Sequence, residues 1–397
     1  MMKDPLAELP LTRPAGCPFD PPTDLARLSS QRPLARLTYP DGHVGWLVTS
    51  HELARAVLAD RRFSSRYELA HYPIPGLGID ELPPAPVGDM TGMDPPEHTR
   101  YRRLLTSKFT VRRMRQLTER AEQVTTEHLD EMRRQGPPVD LVEAFAHPVP
   151  AVMICELLGV PYADRETFRG YMATMSNPDS TPHEQFTGYS ALQSYVEELV
   201  QAKRTRPTDD VLSDLTTSDL TDEELAGVGT FLLAAGLDTT ANMLALGTFA
   251  LLRNPAQIAA LQADPAAAVE ELLRYLSIAH TGIRAALEDV ELAGHQIKAG
   301  ESITISIQSA NRDPARFANP DTLDLHRKAT GHLAFGHGIH QCLGQQLARV
   351  EMNVAYPALF TRFPTLRLSA PPEDVPLRAP HQGIYGAQHL PVTWEVA

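Results

Sequence analysis

Phe335-Gly336-His337-Gly338-Ile339-His340-Gln341-Cys342-Leu343-Gly344 is the stretch on which the reading of this chain turns. Three glycines and an aromatic residue surround one cysteine, and a helical pattern follows from Leu343 to about Phe360. Glycines at this density let a backbone turn sharply and bring its N–H groups close to a ligand. A cysteine at a helix N-terminus lies in a positive field, which lowers thiol pKa and favours the thiolate. A thiolate on a close-approach loop suits an axial ligand to haem iron. An incidental buried thiol, or a zinc site shared with His332, His337 and His340, would use the same residues. Zinc ligands usually come as spaced pairs such as C-x-x-C, and the stretch has none.

Phe335, Gly338, Cys342 and Gly344 spell Phe-x-x-Gly-x-x-x-Cys-x-Gly, which resembles the haem-binding signature of the cytochrome P450 family. The resemblance implies a mainly α fold: one triangular helical domain over residues 1–397 with a small β-rich lobe and a Pro-rich lead-in at 1–23. It implies haem b as cofactor. Cys342 would be the metal ligand, with Phe335, Gly336, His340 and Gly344 beside the cofactor.

Composition narrows the partners. The 397 residues are 43% hydrophobic, enough for a sizeable core, and carry a net charge of −13, which argues against nucleic acid or an anionic membrane as partner. Cys17, Cys155 and Cys342 are too sparse for a disulfide framework and fit a reducing compartment. The Pro-punctuated start has no apolar stretch, so neither signal peptide nor membrane anchor is expected. A cytoplasmic monomer is expected. Only five of the 36 basic residues are lysine, a bias associated with GC-rich bacterial genomes.

Moving upstream, Leu34–Tyr39 and Val44–Thr49 flank Asp41-Gly42 and predict a hairpin. His51 to Ala59 reads as a helix. Pro73 to Pro96 is rich in Pro and Gly, an irregular segment of the length that is usually functional; in the family this segment covers the substrate cavity. Proline and an acidic first turn then start a helix at Asp94-Pro95-Pro96-Glu97. His98 and Arg102 share a face of it, four residues apart. They resemble the family pair that binds a haem propionate. Seven basic residues and no acidic one lie between Arg100 and Arg115, a candidate docking patch for a ferredoxin. Helical stretches follow at about 118–134, 141–159 and 183–204, with Cys155 in the core and a break at Ser176-Asn177-Pro178-Asp179.

Thr221-Asp222-Glu223-Glu224 is a capping box, and the pattern it opens runs to Arg253, where Asn254-Pro255 stops it. Thirty-odd residues span roughly 45–50 Å. Between Leu225 and Leu252 Asp238 is the one charged residue, which predicts a helix through a protein core. A buried carboxylate is costly unless it is paired or used. Ala235-Gly236-Leu237-Asp238-Thr239 resembles the family's acid–alcohol motif. By that resemblance Asp238 and Thr239 are catalytic and relay protons to dioxygen, while Ala235 and Gly236 leave room beside the cofactor.

Glu271 and Arg274, with Arg327, match the family's structural Glu-x-x-Arg set. Arg284 and His340 match residues that bind the propionates, which with His98 and Arg102 completes a four-point clamp. The function implied is a haem-thiolate monooxygenase that hydroxylates or epoxidises a bulky secondary metabolite, a macrolide or other polyketide. Dioxygen and electrons from NAD(P)H would reach it through a ferredoxin reductase and a ferredoxin. Two alternatives use the same residues: a peroxygenase or isomerase, and a non-enzymatic haem sensor or recruitment partner. Stretches expected near the substrate are Pro73–Met90, Leu232–Ala235, Ile278–Ile283 and Gly383–Gly386, with His280, Thr281 and Tyr385 as polar groups.

Overall fold

The computed structural model describes residues 4–14, 16–75, 82–164, 167, 170–171, 174, 180–379 and 381–396. The expected break at Ser176–Asp179 and part of the 73–96 segment lie outside these residues. The longer helices are α1 (Thr23–Gln31), α2 (His51–Ala59), α3 (Glu97–Thr106), α4 (Val111–Gln135), α5 (Pro148–Leu158), α6 (Pro182–Thr205), α7 (Asp222–Arg253), α8 (Pro265–Leu276) and α9 (Gln345–Arg362). A π-helix at Val142–Ala146 precedes α5.

Helix α7 is the axis of the helical body. Thr221 caps it as the sequence predicts: its hydroxyl accepts from the Glu224 N–H at 3.2 Å, and the Glu224 carboxylate accepts from the Thr221 N–H at 2.8 Å. At 32 residues it reaches about 48 Å. It is apolar around most of its circumference because helices α5, α6, α8 and α9 surround it. Small residues set how closely they approach. A side chain at Gly247 would strike the Tyr356 hydroxyl, which donates to the Met243 carbonyl. A Cβ at Gly227 would lie 1.9 Å from the Val87 carbonyl oxygen, so the second half of the 73–96 segment lies directly on the α7 backbone. Met90 is buried in the same place.

A five-stranded sheet forms the smaller lobe. Its strands are β1 (Leu34–Thr38), β2 (Val44–Val48), β3 (Phe63–Ser64), β4 (Thr281–Ala286) and β5 (Ser302–Ser306), in the order β1-β2-β5-β4-β3. The predicted hairpin is present as antiparallel β1–β2. Strand β2 also pairs in parallel with β5, Trp46 opposite Ile303, and the Trp46 indole donates to Glu301 at 2.7 Å. Buried Val48, Ile303, Ile305 and Leu333 fill the core of this lobe. Each such side chain contributes about 1.5–3 kcal/mol of burial energy. A small sheet of Val139–Asp140, Pro391–Thr393 and Arg367–Leu368 ties the chain's end to the start of the π-helix.

Candidate active site

The cysteine loop closes on itself: the Cys342 N–H donates to the Phe335 carbonyl at 2.8 Å. Gly338 has φ +76°, and a Cβ there would sit 2.3 Å from the Leu58 carbonyl oxygen, so the loop is wedged against the end of α2. Glycine is required on both counts. The Arg349 guanidinium lies 4.6 Å from the centre of the Phe335 ring and is itself held by Glu270 at 2.6 and 3.1 Å. His332 spends both ring nitrogens, one on Glu270 and one on the Ala334 N–H. That removes it as a zinc ligand, and no group of metal-ligating atoms among the described residues includes Cys342.

Helix α9 starts at Gln345, two residues later than the pattern suggests, with Gly344 as its N-cap. At Cys342 burial and the helix end act in opposite directions. Burial pushes the Cys342 thiol up, and the Gly344 and Gln345 N–H groups and the charges of Arg102 and Arg349 pull against it without winning. Cys342 nevertheless keeps an accessible face. A cationic ligand placed there would supply the stabilisation the helix end alone does not.

Four groups converge beside this loop. His98 on α3 is 2% exposed and neither ring nitrogen has a partner. Its ring lies 4.2 Å from that of His340. Arg102, one turn along α3, makes no hydrogen bond or ion pair among the described residues. Arg284 on β4 bonds only the neighbouring Ile283 carbonyl, at 2.7 Å. Burial lowers the pKa of all four. Arg284 falls to about 10, and His340 falls to about 3 with the charges of Arg284, His98 and Arg102 adding to burial. Asp94, which is bonded to Ser64 and Ser65, is a carboxylate felt by His98 and Arg284, but none of the four makes an ion pair among the described residues, and polar groups gathered in this way are a site built for an anion. They fit the carboxylates of a haem.

Across α7 the arrangement differs from expectation in two respects. Asp238 is gripped by Arg378, whose guanidinium donates to both carboxylate oxygens at 2.5 and 2.8 Å, and Asn242 adds a bond at 3.1 Å. Sequence reading did not find Arg378, because an arginine in a Pro/Gly-rich tail carries no local sign of a partner 140 residues away. Gly236, expected to leave room for a ligand, is used for packing: a Cβ would lie 2.8 Å from Ile154 on α5. Ala235 is the exposed position on this stretch, and Thr239 donates to its carbonyl at 3.0 Å. That bond loosens the helix where the space opens. Thr240 is buried.

The structural set is assembled. Arg274 donates to Glu271 at 2.7 and 2.8 Å with both side chains fully buried, and Arg327 adds a bond to Glu271 at 3.1 Å. Of the proposed substrate contacts, Tyr385 is committed elsewhere. Its hydroxyl donates to Pro18 at 2.8 Å and its ring lies under Arg13. Three of the seven basic residues of the run are paired: Arg100 with Asp219 and Glu224, Arg112 with Asp209, and Arg113 with Asp209 and Asp214. Arg103 and Arg115 remain exposed without ion pairs among the described residues.

Comparison with known proteins agrees with this geometry. A family model described as Cytochrome P450 matches residues 266–388. The chain is 49% identical over 382 residues to "Cytochrome P450 105C1" of Streptomyces sp, covering 95% of this chain and 96% of the relative. It is 45% identical to "Pentalenic acid synthase" of Streptomyces avermitilis, covering 95% of each. A crystal structure of CYP105P1 in complex with filipin I superposes with a TM-score of 0.91 at 40% identity, covering 99% of both chains.

Proposed function

Because the chain belongs to the cytochrome P450 family, and is a haem-dependent monooxygenase, we propose that its substrate is a bulky secondary metabolite, a macrolide or another polyketide, which it hydroxylates or epoxidises. When bound, a haem-thiolate iron activates dioxygen and places one oxygen atom on carbon. The chain's own residues bind, orient and supply protons. Cys342 would ligate the iron, with Phe335, Gly336 and Gly344 shaping the loop beneath the cofactor. His98, Arg102, Arg284 and His340 would hold the propionates. The observation that carries this assignment is the convergence of those four groups, unpaired, beside the accessible face of Cys342.

Thr239 and Asp238 would divide the handling of protons: the hydroxyl donates at the site, and the carboxylate recharges it after leaving Arg378. Ala235 leaves space on the same helix face. For the substrate, support comes from relatives whose names carry secondary metabolites, pentalenic acid and filipin I. The mixture of small, apolar and a few polar residues in the expected substrate stretches, His280 and Thr281 among them, suits a large, moderately oxygenated ligand. Electrons would come from a ferredoxin and its reductase, with Arg103 and Arg115 as the available docking charges. No helix among the described residues is long and apolar enough to cross a membrane, and a cytoplasmic monomer remains our reading.

The test is an optical titration of the ferric holoprotein against macrolides and other polyketide intermediates. A thiolate-type spectrum moved from low to high spin by one such compound supports the substrate class. A thiolate spectrum that only unrelated compounds move refutes it. A spectrum without thiolate ligation refutes the Cys342 assignment.

A further inference from the structure

A proton passed inward by Asp238 must be replaced from outside, and two segments packed beside α7 lead from that carboxylate to the surface. One is the π-helix Val142–Ala146. Its last bond runs from the His147 N–H to the Val142 carbonyl at 3.0 Å, so the extra residue in this turn sets where His147 projects. Such turns concentrate at functional positions. The other is the two-armed loop of residues 375–390, closed by the Leu377–Ala387 bridge and by the Arg378 N–H bond to Gly386 at 2.9 Å. Gly386 presses on Asn242 of α7, where a Cβ would overlap the amide oxygen. This loop sends Arg378 to Asp238 and, from its other arm, His389 to Asp140 at 2.6 Å.

At the outer ends of both segments Asp140, Glu143 and His389 gather, with one polar atom of each within 4.8 Å of the others. Glu143 and His389 are exposed. His147 directly follows the π-helix, which itself packs against α7. Its ring makes no hydrogen bond among the described residues. The charges acting on it are those of Asp238 and Arg378 together with Glu143 and Asp140 of the cluster. Burial lowers its pKa, so at neutral pH the ring is uncharged, with one nitrogen free to accept and one N–H to give.

We propose that His147 is the relay through which protons taken up from solvent at Glu143 and Asp140 reach Asp238. The inference rests on the reading of Asp238 as the inward proton carrier. Each transfer moves one proton and no electrons. Because the ring bonds neither carboxylate directly, each transfer passes through bridging water: a carboxyl group gives its proton to the free imidazole nitrogen, the imidazolium releases the proton on its other nitrogen toward the Asp238 carboxylate, and rotation of the ring restores the starting tautomer.

Two readouts test it. The first is the titration of His147 followed by NMR in the diamagnetic ferrous–carbonyl holoprotein. Asp238→Asn and Glu143→Gln each remove a negative charge and should each lower the His147 midpoint; a midpoint unmoved by Asp238→Asn overturns the relay. The second is NADPH-driven O2 consumption through a plant-type ferredoxin and its reductase, measured in H2O and D2O. His147→Gln, and His147→Phe as a second variant should the first fold poorly, are expected to slow consumption about tenfold and raise the solvent isotope effect. Adding Asp238→Asn to either should cause no further loss. If Asp238→Asn slows consumption while both His147 variants match the parent protein, the relay is wrong and the Asp238 reading stands. If Asp238→Asn has no effect either, the Asp238 reading fails and the relay with it.

Discussion

Replacing Arg274 by methionine removes a cation that is fully buried and fully bonded. It donates to both oxygens of Glu271 at 2.7 and 2.8 Å and to the carbonyls of Asn311 and Pro320 at 2.8 and 2.9 Å. Methionine fills much of the same volume, so the cost is electrostatic. Breaking a buried pair costs about 3–5 kcal/mol because the surviving charge stays in the interior. Here Arg327 at 3.1 Å and the Asp324 N–H at 3.1 Å partly shelter Glu271, which places the loss near 4 kcal/mol. With an unfolding entropy of about 2.1 cal/mol/K per residue over this chain, that lowers Tm by about 5 °C. Arg327→Met leaves the Arg274–Glu271 pair whole. Its other bonds go to the carbonyls of Ala318, Asn319 and Thr322 at the exposed edge, which water can satisfy, so about 1–2 kcal/mol and about 2 °C are expected. Asn311, held by Arg274, also accepts from the Leu333 N–H at 2.7 Å just before the cysteine loop. Arg274→Met should therefore also release haem faster. Calorimetry of the holoproteins reads the first effect and transfer of haem to apomyoglobin the second. Equal losses for the two variants, or a loss below about 1 kcal/mol for Arg274→Met, would refute this reasoning.

Three further outcomes follow from the same geometry. Gly338→Ala meets both a positive φ and the Leu58 carbonyl, so it should cost about 2 kcal/mol or more and reduce haem incorporation, read from the ratio of haem to protein absorbance. At Glu270 burial raises the pKa, but hydrogen bonds from His332 and Arg349 outweigh it and bring it to about 2 from 4.5. Since the folded pKa is the lower one, about 3 kcal/mol of stability is present above pH 4.5 and is lost as pH falls toward 2. The Tm gap between parent and Glu270→Gln should accordingly close as pH falls from about 5 to about 2; a gap independent of pH would count against it. Arg103→Glu should raise the KM for ferredoxin and flatten its dependence on ionic strength without changing substrate-induced spin shifts. Arg113→Glu should instead destabilise the protein, because Arg113 is buried against Asp209 and Asp214.

What sequence could show was whatever is written locally. The capping box at Thr221, the stop at Asn254-Pro255 and the Asp-Gly hairpin each depend on a few adjacent residues, and each formed as expected. That His98, Arg102, Arg284 and His340 gather in one place could be expected only through the family pattern, since nothing in the spacing of His98 and Arg284 brings α3 and β4 together. Long-range pairing was the main loss. Arg378 on Asp238, and Asp209 and Asp214 on the basic run, are contacts made across folded chain between segments that share no periodicity. Gly236 was misread for a related reason. A glycine in a helix announces that a side chain is unwelcome, but whether a ligand or a neighbouring helix fills the space depends on Ile154, which is 82 positions earlier in the numbering.

The pairing of β2 with β5 also constrains how the molecule is made. Trp46 and Glu301, joined across that pairing, are 255 residues apart. At synthesis rates of about 5–20 residues per second, the N-terminal hairpin leaves the ribosome roughly 13–50 s before its parallel partner exists. During that interval one edge of the hairpin has no strand to bond, and Val48, which the finished sheet buries completely, has no lobe to enter. An unprotected edge of this kind is where a nascent chain pairs wrongly. Helices α4 to α7 can begin to condense in that interval, whereas α9, which also packs on α7, is made only after β5, so lobe and helical body are completed together near the end of synthesis.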